Sequence, residues 1–479
     1  MAIIKGMDNN NSGFKRVLNT RDVLMVAFGA MIGWGWVVSS GQWIQTGGAL
    51  GTAIAFCIGG VMIYLVGLTY AELTTAMPRS GGEQNFSYAA FGPIGSYICT
   101  WALVLSYIGV VCFEACSFAT IMQYLIPDFL QGYLWSVAGF DVYLSWVAVA
   151  ILASLLIVYV NYIGTKRAAK FQNVLTCIIA GVGLLLVAGS AINGDATNLS
   201  SQPFVGETGG GIFMNIMRVA IMTPFFLFGF DVIPQAAEEI NVPLKRLGRL
   251  MIVSIGLAVV FYAMVVVAIG YVMSPAEVDA SMKDTGMVTA DALAKAFSNQ
   301  AMTKVLVIGG LCGIVTTWNS FLIGGSRLLF SMSKSHMLPG KFSRLHSEYN
   351  TPYVAILFLG LLSIIAPLFG RVMLVWIVDA ANFACCLAYC MVAASFLRLR
   401  KTKPNLKRPF RVKHGKTRGV VAVIMAGFMA LMYLIPTTSC ALTWQEWIIV
   451  GGWTLIGLVL GLRSKMLYKE NFASGMEIY

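Results

Sequence analysis

The sequence contains little charge for its length. Only 11% of its 479 residues are Asp, Glu, Lys or Arg, whereas 58% are hydrophobic. A water-soluble protein of this size needs far more charge to cover its surface. Stretches of about 20 apolar residues, each long enough to cross a bilayer, recur along the whole chain. The sequence therefore predicts a polytopic integral membrane protein embedded in a lipid bilayer.

The predicted spans also lack histidine, and the chain lacks the sequence motif of an ATP-binding loop. The three histidines, His336, His346 and His414, lie in polar loops. No segment matches G-x-x-x-x-G-K-[ST], which excludes primary active transport driven by such a loop in this chain. The ten cysteines fall in or beside apolar segments, where they are more often small buried side chains than metal ligands. We expect no enzyme activity, no cofactor and no metal.

Twelve membrane spans are predicted, and an even number places both termini on one side. Their approximate ranges are 22–45, 50–75, 94–125, 143–165, 171–193, 212–236, 249–273, 301–332, 353–370, 372–397, 419–438 and 445–463. The net charge of +12 comes from basic residues in alternate loops, most densely in 398–418, so we expect no nucleic-acid partner. Basic loops stay in the cytoplasm, which predicts a plasma-membrane protein with both termini cytoplasmic.

Two of these spans are interrupted near their centres. The first contains GAMIGWGWVV, 29–38, and glycine weakens a helix interior. The sixth contains FFLFGFDVIPQ, 225–235, with a glycine, an aspartate and a proline. Spans one and six are five apart, and interrupted helices at corresponding positions of two halves are typical of transporters built from an inverted repeat.

An interrupted helix offers free backbone groups at membrane depth, where unwound backbone is tolerated only if it is buried or lines a cavity. The N-terminus of a half-helix attracts a carboxylate, and freed carbonyls suit an ammonium group. Two facing breaks would therefore bind a zwitterion. The alternative is that the glycines only allow close packing of helices.

This pattern predicts an all-α membrane fold of twelve helices, with a five-plus-five inverted repeat and with helices one and six discontinuous. The expected segments are a cytoplasmic N-terminal segment (1–21), the first repeat (22–193), the second repeat (212–397) with an external cap (274–300), a basic cytoplasmic loop (398–418), spans eleven and twelve (419–463) and a cytoplasmic C-terminal tail (464–479).

Five stretches, taken in order, resemble one family of transporters. They are GAMIGWGWV in the first span, YAELTTAMPRSGGEQNFSYAAFG (70–92), NYIGTKRAAKFQ (161–172), FFLFGFDVIPQAAEEINVP (225–243) and SRLLFSMSKSHMLPGKF (326–342). The chain resembles amino acid permeases of the amino acid–polyamine–organocation superfamily, in pattern closest to the cationic amino acid transporters and their bacterial relatives. The resemblance covers about residues 20 to 400 and implies a leucine-transporter-like fold with alternating access.

The resemblance also implies where a substrate would bind. Its carboxylate would meet the backbone amides of Gly33, Trp34 and Gly35. Its amine would meet carbonyls of the two breaks, and the residues implied there are Met31, Phe225, Phe228 and Gly229. Many members have a small residue where this chain has Trp34, so we expect this side chain to narrow the pocket.

Ionisable residues at membrane depth are functional candidates by default. Glu114 in the third span is a candidate for substrate binding, with a structural pairing as the alternative. Asp231 could brace the break, carry a proton or hold an amine, and we favour bracing or coupling. Asp379 in span ten is a candidate for gating or packing.

Coupling could use a proton or a sodium ion. The resemblance implies that many relatives carry a lysine in span five, and counting along NYIGTKRAAKFQ places Ile179 there. Sodium could instead be held by carbonyls near Ala30 and Gly33 with the hydroxyls of Thr316 and Thr317. Those hydroxyls are equally explained by bonds to the preceding helical turn, so we rank proton coupling first.

The leading hypothesis is therefore a proton-coupled secondary transporter of amino acids that acts by alternating access. The alternatives are a polyamine or amine carrier, an amino acid exchanger, and a sodium-coupled or uncoupled transporter. A channel or receptor would leave the paired breaks unexplained, and no catalytic spacing at membrane depth supports a membrane enzyme.

Overall fold

The computed structural model describes residues 14–370, 373–436, 438 and 441–474. Residues 1–13 of the predicted N-terminal segment, residues 475–479 of the predicted tail, and Cys440 lie outside this part of the chain. So do short stretches at the edges of predicted spans ten and eleven.

The described residues contain eighteen α-helices and one β-hairpin. The helices are α1 (Thr20–Met31), α2 (Gly35–Val38), α3 (Ser40–Gly47), α4 (Ala49–Ala76), α5 (Gly82–Ile121), α6 (Leu144–Tyr162), α7 (Thr165–Asn193), α8 (Ala196–Ser201), α9 (Gly209–Phe226), α10 (Val232–Gln235), α11 (Leu244–Val272), α12 (Pro275–Asp284), α13 (Val288–Ala296), α14 (Ala301–Lys334), α15 (Tyr353–Ile365), α16 (Met373–Thr402), α17 (Gly415–Met432) and α18 (Trp444–Tyr468). The hairpin pairs β1 (Tyr133–Val137) with β2 (Phe140–Tyr143) in antiparallel fashion.

The predicted membrane helices are confirmed as a class. In the described part of the chain, eleven helical segments are long and apolar enough to cross a membrane. The ninth predicted span corresponds to a shorter apolar helix, α15, which continues through a 3₁₀ turn to Phe369. The hairpin between the third and fourth spans was not predicted, because its strands of five and four residues are too short to give a clear pattern.

The first membrane helix is discontinuous, as predicted. A capping box starts α1, since the Asn19 side chain accepts from the backbone of Asp22 and the Asp22 carboxylate accepts from that of Asn19. The helix ends at Met31, and the backbone becomes helical again only at Gly35. The second half, α2 and α3, bends at Ser39 but keeps hydrogen bonds across the bend.

The sixth membrane helix is discontinuous as well. α9 ends at Phe226, a turn follows, and α10 begins at Val232. Gly229 in this turn has φ +126°, a conformation that side chains rarely adopt. A Cβ at Gly229 would lie 2.7 Å from the Cβ of Ala30 and 3.0 Å from its carbonyl carbon. The two breaks therefore touch each other in the middle of the bundle, and glycine permits the contact.

Two opposite faces of the bundle matter for the site. Both described ends of the chain meet at the end of α14, and we call this side the terminal face. There the rings of Phe14 and Phe330 lie 4.8 Å apart, and the N–H of Ala473 donates to the carbonyl of Ser335. At the opposite, cap face, the predicted cap forms α12 and α13. The hydroxyl of Thr289 in the cap donates to the carbonyl of Trp36 at 2.9 Å, which fixes the cap to the second half of the first membrane helix.

Candidate substrate-binding cavity

A cavity of about 490 Å³ lies where the two breaks meet. Its walls come from both breaks and from α5, α11, α14 and α16. It extends toward the cap face, because Val38, Gln42 and Val375 on its rim are exposed. Its walls are mostly aromatic and aliphatic, with a few polar groups, which is typical of a site for small molecules.

The first break supplies free donors to this cavity. Gly33, Trp34 and Gly35 line it, and their N–H groups donate to no protein acceptor among the described residues. These amides stand at the start of α2, which with α3 forms the second half of the helix. The break therefore presents unsatisfied N–H groups and the positive end of a helix dipole to a ligand.

The carbonyls at the end of α1 are satisfied by hydroxyls from neighbouring helices. Ser320 donates to Val26 at 3.2 Å and Tyr262 donates to Met31 at 2.9 Å. Thr316 and Thr317 of α14 likewise donate to the carbonyls of Gly29 and Ala30. In the membrane interior such partners replace water, which is why the helix can end there. The Met31 carbonyl, expected to meet a substrate amine, therefore already accepts one hydrogen bond.

The sixth break supplies acceptors to the cavity. Among the described residues, no group donates to the backbone carbonyls of Phe225 and Phe226, which end α9 at the cavity wall. The Phe228 ring lines the same wall and packs at 5.1 Å from the ring of Tyr389. The carbonyl end of α9, with the negative end of its dipole, therefore lines the same cavity as the amides of the first break.

Asp231 lies outside the cavity and is fully engaged by protein groups. Its carboxylate accepts from the Gly229 N–H at 3.0 Å, from the Tyr389 hydroxyl at 2.9 Å and from the Tyr107 hydroxyl at 2.8 Å. These partners belong to the break itself, to α16 and to α5. Asp231 is 1% exposed, so the arrangement holds the unwound backbone between two other helices.

Glu114 is a cavity carboxyl that makes no hydrogen bond or ion pair with the described residues. It lines the cavity from α5, is 3% exposed, and its Oε2 has no hydrogen-bond partner among the described residues. A Cβ at Gly33 would lie 3.8 Å from its Oε1 and 2.7 Å from the hydroxyl oxygen of Thr317. An unpaired buried carboxyl is costly, so this group is placed to interact with a ligand or a proton at the first break.

Asp379 lies nearer the cap face than Glu114. It lines the cavity in the second turn of α16 and is partly exposed. Asn382, one turn further along the same helix, also lines the cavity and is buried. The cavity therefore has one carboxyl at its centre and a second toward its opening.

Trp34 both lines the cavity and packs against a neighbouring helix. It is 5% exposed, and the six-membered ring lies against Gly310 of α14, where a methyl group would overlap it. Only part of its surface therefore faces the cavity, and Gly310 is what allows this large side chain to fit.

The ion-coupling candidates lie beside the first break. Thr316 donates to the carbonyls of Gly29 at 3.0 Å and of Gly313 at 2.8 Å, and Thr317 contacts the Ala30 carbonyl at 3.4 Å. The bond to Gly313 is the expected one to the preceding turn, whereas the others cross to α1. A Cβ at Gly313 would lie 3.0 Å from the Gly33 carbonyl oxygen and would overlap the end of the Ile179 side chain. Ile179 thus fills the space between α1 and α14 with apolar atoms.

The terminal face is closed beneath the cavity. Arg327 pairs with Glu239 at 2.7 Å and also donates to Thr165 at 2.7 Å, with Arg327 and Glu239 almost completely buried. The backbone of Leu18 pairs with the segment around Ile240, and Gln235 donates to Glu83. These contacts tie the segment that follows the sixth break to α5 and α14, to the residues that precede α1 and, through Arg327, to α7.

The structure brings most of the predicted site residues together. Those lining one cavity are Met31, Gly33, Trp34, Gly35, Glu114, Phe225, Phe228, Thr317 and Asp379, whereas Gly229, Asp231 and Thr316 lie behind its wall. Sequence reasoning missed Tyr107, Tyr262 and Tyr389, whose hydroxyls hold the breaks. No pattern of residue spacing in the sequence distinguishes these three tyrosines. Asn382 could have been found, because it lies three residues after Asp379 on the same helix face.

Comparison with known proteins agrees with this architecture. A family described as Amino acid permease matches residues 18–460. The chain is 28% identical to the branched-chain amino acid permease BcaP of Bacillus subtilis, over 94% of this chain and 93% of the relative. It is 27% identical to the methylthioribose transporter of the same species, over 96% of both chains. It is 23% identical to cationic amino acid transporter 7, chloroplastic, of Arabidopsis thaliana, over 74% of this chain and 61% of the relative. The chain is a member of the amino acid permease family.

Proposed function

We propose that this permease is a secondary transporter of amino acids that acts by alternating access at the cavity between the two breaks. The substrate carboxylate binds the free amides of Gly33, Trp34 and Gly35. Its amine binds the carbonyls at the end of α9. The observation that carries the proposal is that residues with unsatisfied N–H groups and residues with unsatisfied carbonyls line the same cavity.

The closed terminal face supports the alternating part of the proposal. The cavity extends toward the cap face, and the ion pair between Arg327 and Glu239 lies on the opposite side. Release to that side requires the segment that follows the sixth break to separate from α5 and α14. The basic loop 398–418 supports a cytoplasmic location for the terminal face, in a protein of the plasma membrane.

We further propose that transport is coupled to protons and that Glu114 carries the proton or senses the substrate charge. It is a cavity carboxyl with no hydrogen-bond partner for Oε2 among the described residues. Sodium is less well supported, because the Thr316 hydroxyl is engaged by two carbonyls and Ile179 places apolar atoms beside them.

Uptake into proteoliposomes tests both statements. The purified protein is first screened for amino acids that raise its melting temperature, since a ligand that binds the folded state stabilises it. Uptake of the best ligand is then measured under three conditions. The first has a proton gradient, the second has a sodium gradient, and the third has no ion gradient but has substrate inside the liposomes. Accumulation driven by the proton gradient is expected. Sodium-driven accumulation that disappears in Thr317→Val would contradict proton coupling.

A diamine or polyamine carrier is the second candidate. Two carboxyls, Glu114 and Asp379, line the same cavity, and two separated carboxylates suit a substrate with two ammonium groups. Such a substrate would not use the amides of the first break. If diamines stabilise the protein and amino acids do not, this candidate replaces the first.

A further inference from the structure

The segment 398–418, which includes the end of α16, the connection to α17 and the start of α17, carries nearly all of the net charge of this chain. Residues 398–418 contain ten Lys and Arg and no Asp or Glu. Without these ten, the chain has 23 basic and 21 acidic residues and is close to neutral. Topology requires an excess of basic residues over several loops, so it does not explain this concentration in one loop.

Part of this charge is used inside the protein. Glu72 of α4 pairs with Arg400 at 2.5 Å and with Arg408 at 3.0 Å. The Arg400 guanidinium also donates to the carbonyl of Val412 at 2.8 Å and lies against Gly415. One carboxylate thus holds two arginines and fixes the loop against the bundle.

The remaining charge lines an open cleft. The cleft has a volume of about 570 Å³ and is formed by Arg400 and by residues 411–417. Arg411, Lys413 and Lys416 are exposed on it, and among the described residues no acidic group pairs with any of them. Three unpaired cations around one cleft are suited to a phosphate or another anion.

An apolar stripe continues from the cleft along the outer surface of α17. Val420, Ile424, Phe428 and Leu431 lie on one face of the helix and are between 37% and 56% exposed. From the first to the last of them the helix rises about 16 Å, which is about half of the roughly 30 Å hydrocarbon core of a bilayer. The stripe therefore matches the depth of one leaflet.

We propose that this cleft binds the headgroup of an anionic phospholipid, whose acyl chains lie along the stripe on α17. The cations of the cleft neutralise the phosphate, and the adjoining apolar surface accepts the chains. A nucleic acid or an acidic protein would use the cations but not the stripe. Because α16 also lines the transport cavity, the lipid binds at the end of a helix that contacts the substrate.

Native mass spectrometry of the detergent-purified full chain tests this site. Phosphatidylglycerol and phosphatidylcholine are titrated in parallel against two triple variants. Arg411→Gln, Lys413→Gln and Lys416→Gln remove three charges from the cleft. Lys401→Gln, Lys403→Gln and Lys407→Gln remove the same charge from the same segment, outside the cleft.

Each basic residue near an anionic membrane surface is worth about 1 kcal/mol. The cleft variant should therefore bind phosphatidylglycerol roughly a hundredfold more weakly, whereas the control variant and all phosphatidylcholine binding should change little. Equal losses in the two triple variants would show diffuse attraction and overturn the site. Displacement of the lipid by glycerol 3-phosphate at the same concentration would show a soluble phosphate site instead.

The unmodified protein gives an independent readout if the cleft variant does not fold. Salt screens the attraction between exposed charges. Raising the sodium chloride concentration should therefore weaken phosphatidylglycerol binding and leave phosphatidylcholine binding unchanged. Phosphatidylglycerol binding that is independent of salt would contradict the proposal.

Discussion

Removal of the Asp231 carboxylate should destabilise the protein without changing its choice of substrate. Asp231→Ala leaves two buried donors without an acceptor, namely the Gly229 N–H and the Tyr389 hydroxyl, whereas the Tyr107 hydroxyl keeps the backbone carbonyl of residue 231 at 3.2 Å. Each buried unsatisfied polar group costs about 1–3 kcal/mol. We therefore expect a loss of roughly 2–6 kcal/mol of unfolding free energy, reduced by any rearrangement of the two tyrosines.

The conservative changes at the same cluster should cost less. Tyr389→Phe removes one hydrogen bond and leaves the Gly229 N–H bound to the same carboxylate oxygen, so the expected loss is about 1 kcal/mol. Asp231→Asn keeps the shape and one acceptor oxygen, and should fall between Tyr389→Phe and Asp231→Ala. These two variants keep the test open if Asp231→Ala does not fold.

The assay combines thermal unfolding of the purified variants with competition by a panel of amino acids during uptake into proteoliposomes. A bracing residue should lower the melting temperature and the maximal rate while the order of competing substrates stays the same. A changed order of substrates in Asp231→Asn, with an unchanged melting temperature, would refute the bracing role and make Asp231 a substrate contact.

Four further substitutions test the cavity walls. Gly33→Val and Gly35→Val should abolish uptake without preventing membrane insertion, because the new side chains meet the Thr317 hydroxyl and the Phe226 ring respectively; normal kinetics in both would remove the first break from the site. Trp34→Ser should widen the pocket and admit larger amino acids, as measured by competition, and an unchanged profile would mean that its packing on α14 is its main role. Glu114→Gln should weaken cationic ligands at least tenfold more than neutral ones, and equal losses would assign it to coupling or structure.

The membrane helices and the two breaks could be predicted from the sequence because both depend on local composition. An apolar run of sufficient length forms a span, and glycines such as Gly33 and Gly229 mark the breaks. The cavity position of Glu114 followed from its depth in the third span. The wall formed by Phe225 and Phe228 followed from its place beside the sixth break.

The contacts that hold the breaks could not be predicted in the same way. Lipid-facing and protein-facing surfaces of a membrane helix are both apolar, so the sequence period does not show which neighbour a tyrosine meets. The bonds from Tyr262 to Met31 and from Tyr389 to Asp231 depend on that choice of neighbour. The packing of Trp34 on Gly310 could not be predicted either, because the sequence does not show which helix the ring meets. Only the assembled helices show that the ring lies between α14 and the cavity.

The most direct test of the proposed site removes one charged group of the substrate at a time. Calorimetry on the purified protein compares the best amino acid ligand with its decarboxylated amine and with its N-acetyl derivative. Two charge-assisted hydrogen bonds lost at about 1.5–3 kcal/mol each correspond to at least a hundredfold in affinity. Both analogues should bind at least a hundredfold more weakly than the amino acid. A decarboxylated amine that binds as tightly as the amino acid would contradict the role of the amides at Gly33, Trp34 and Gly35.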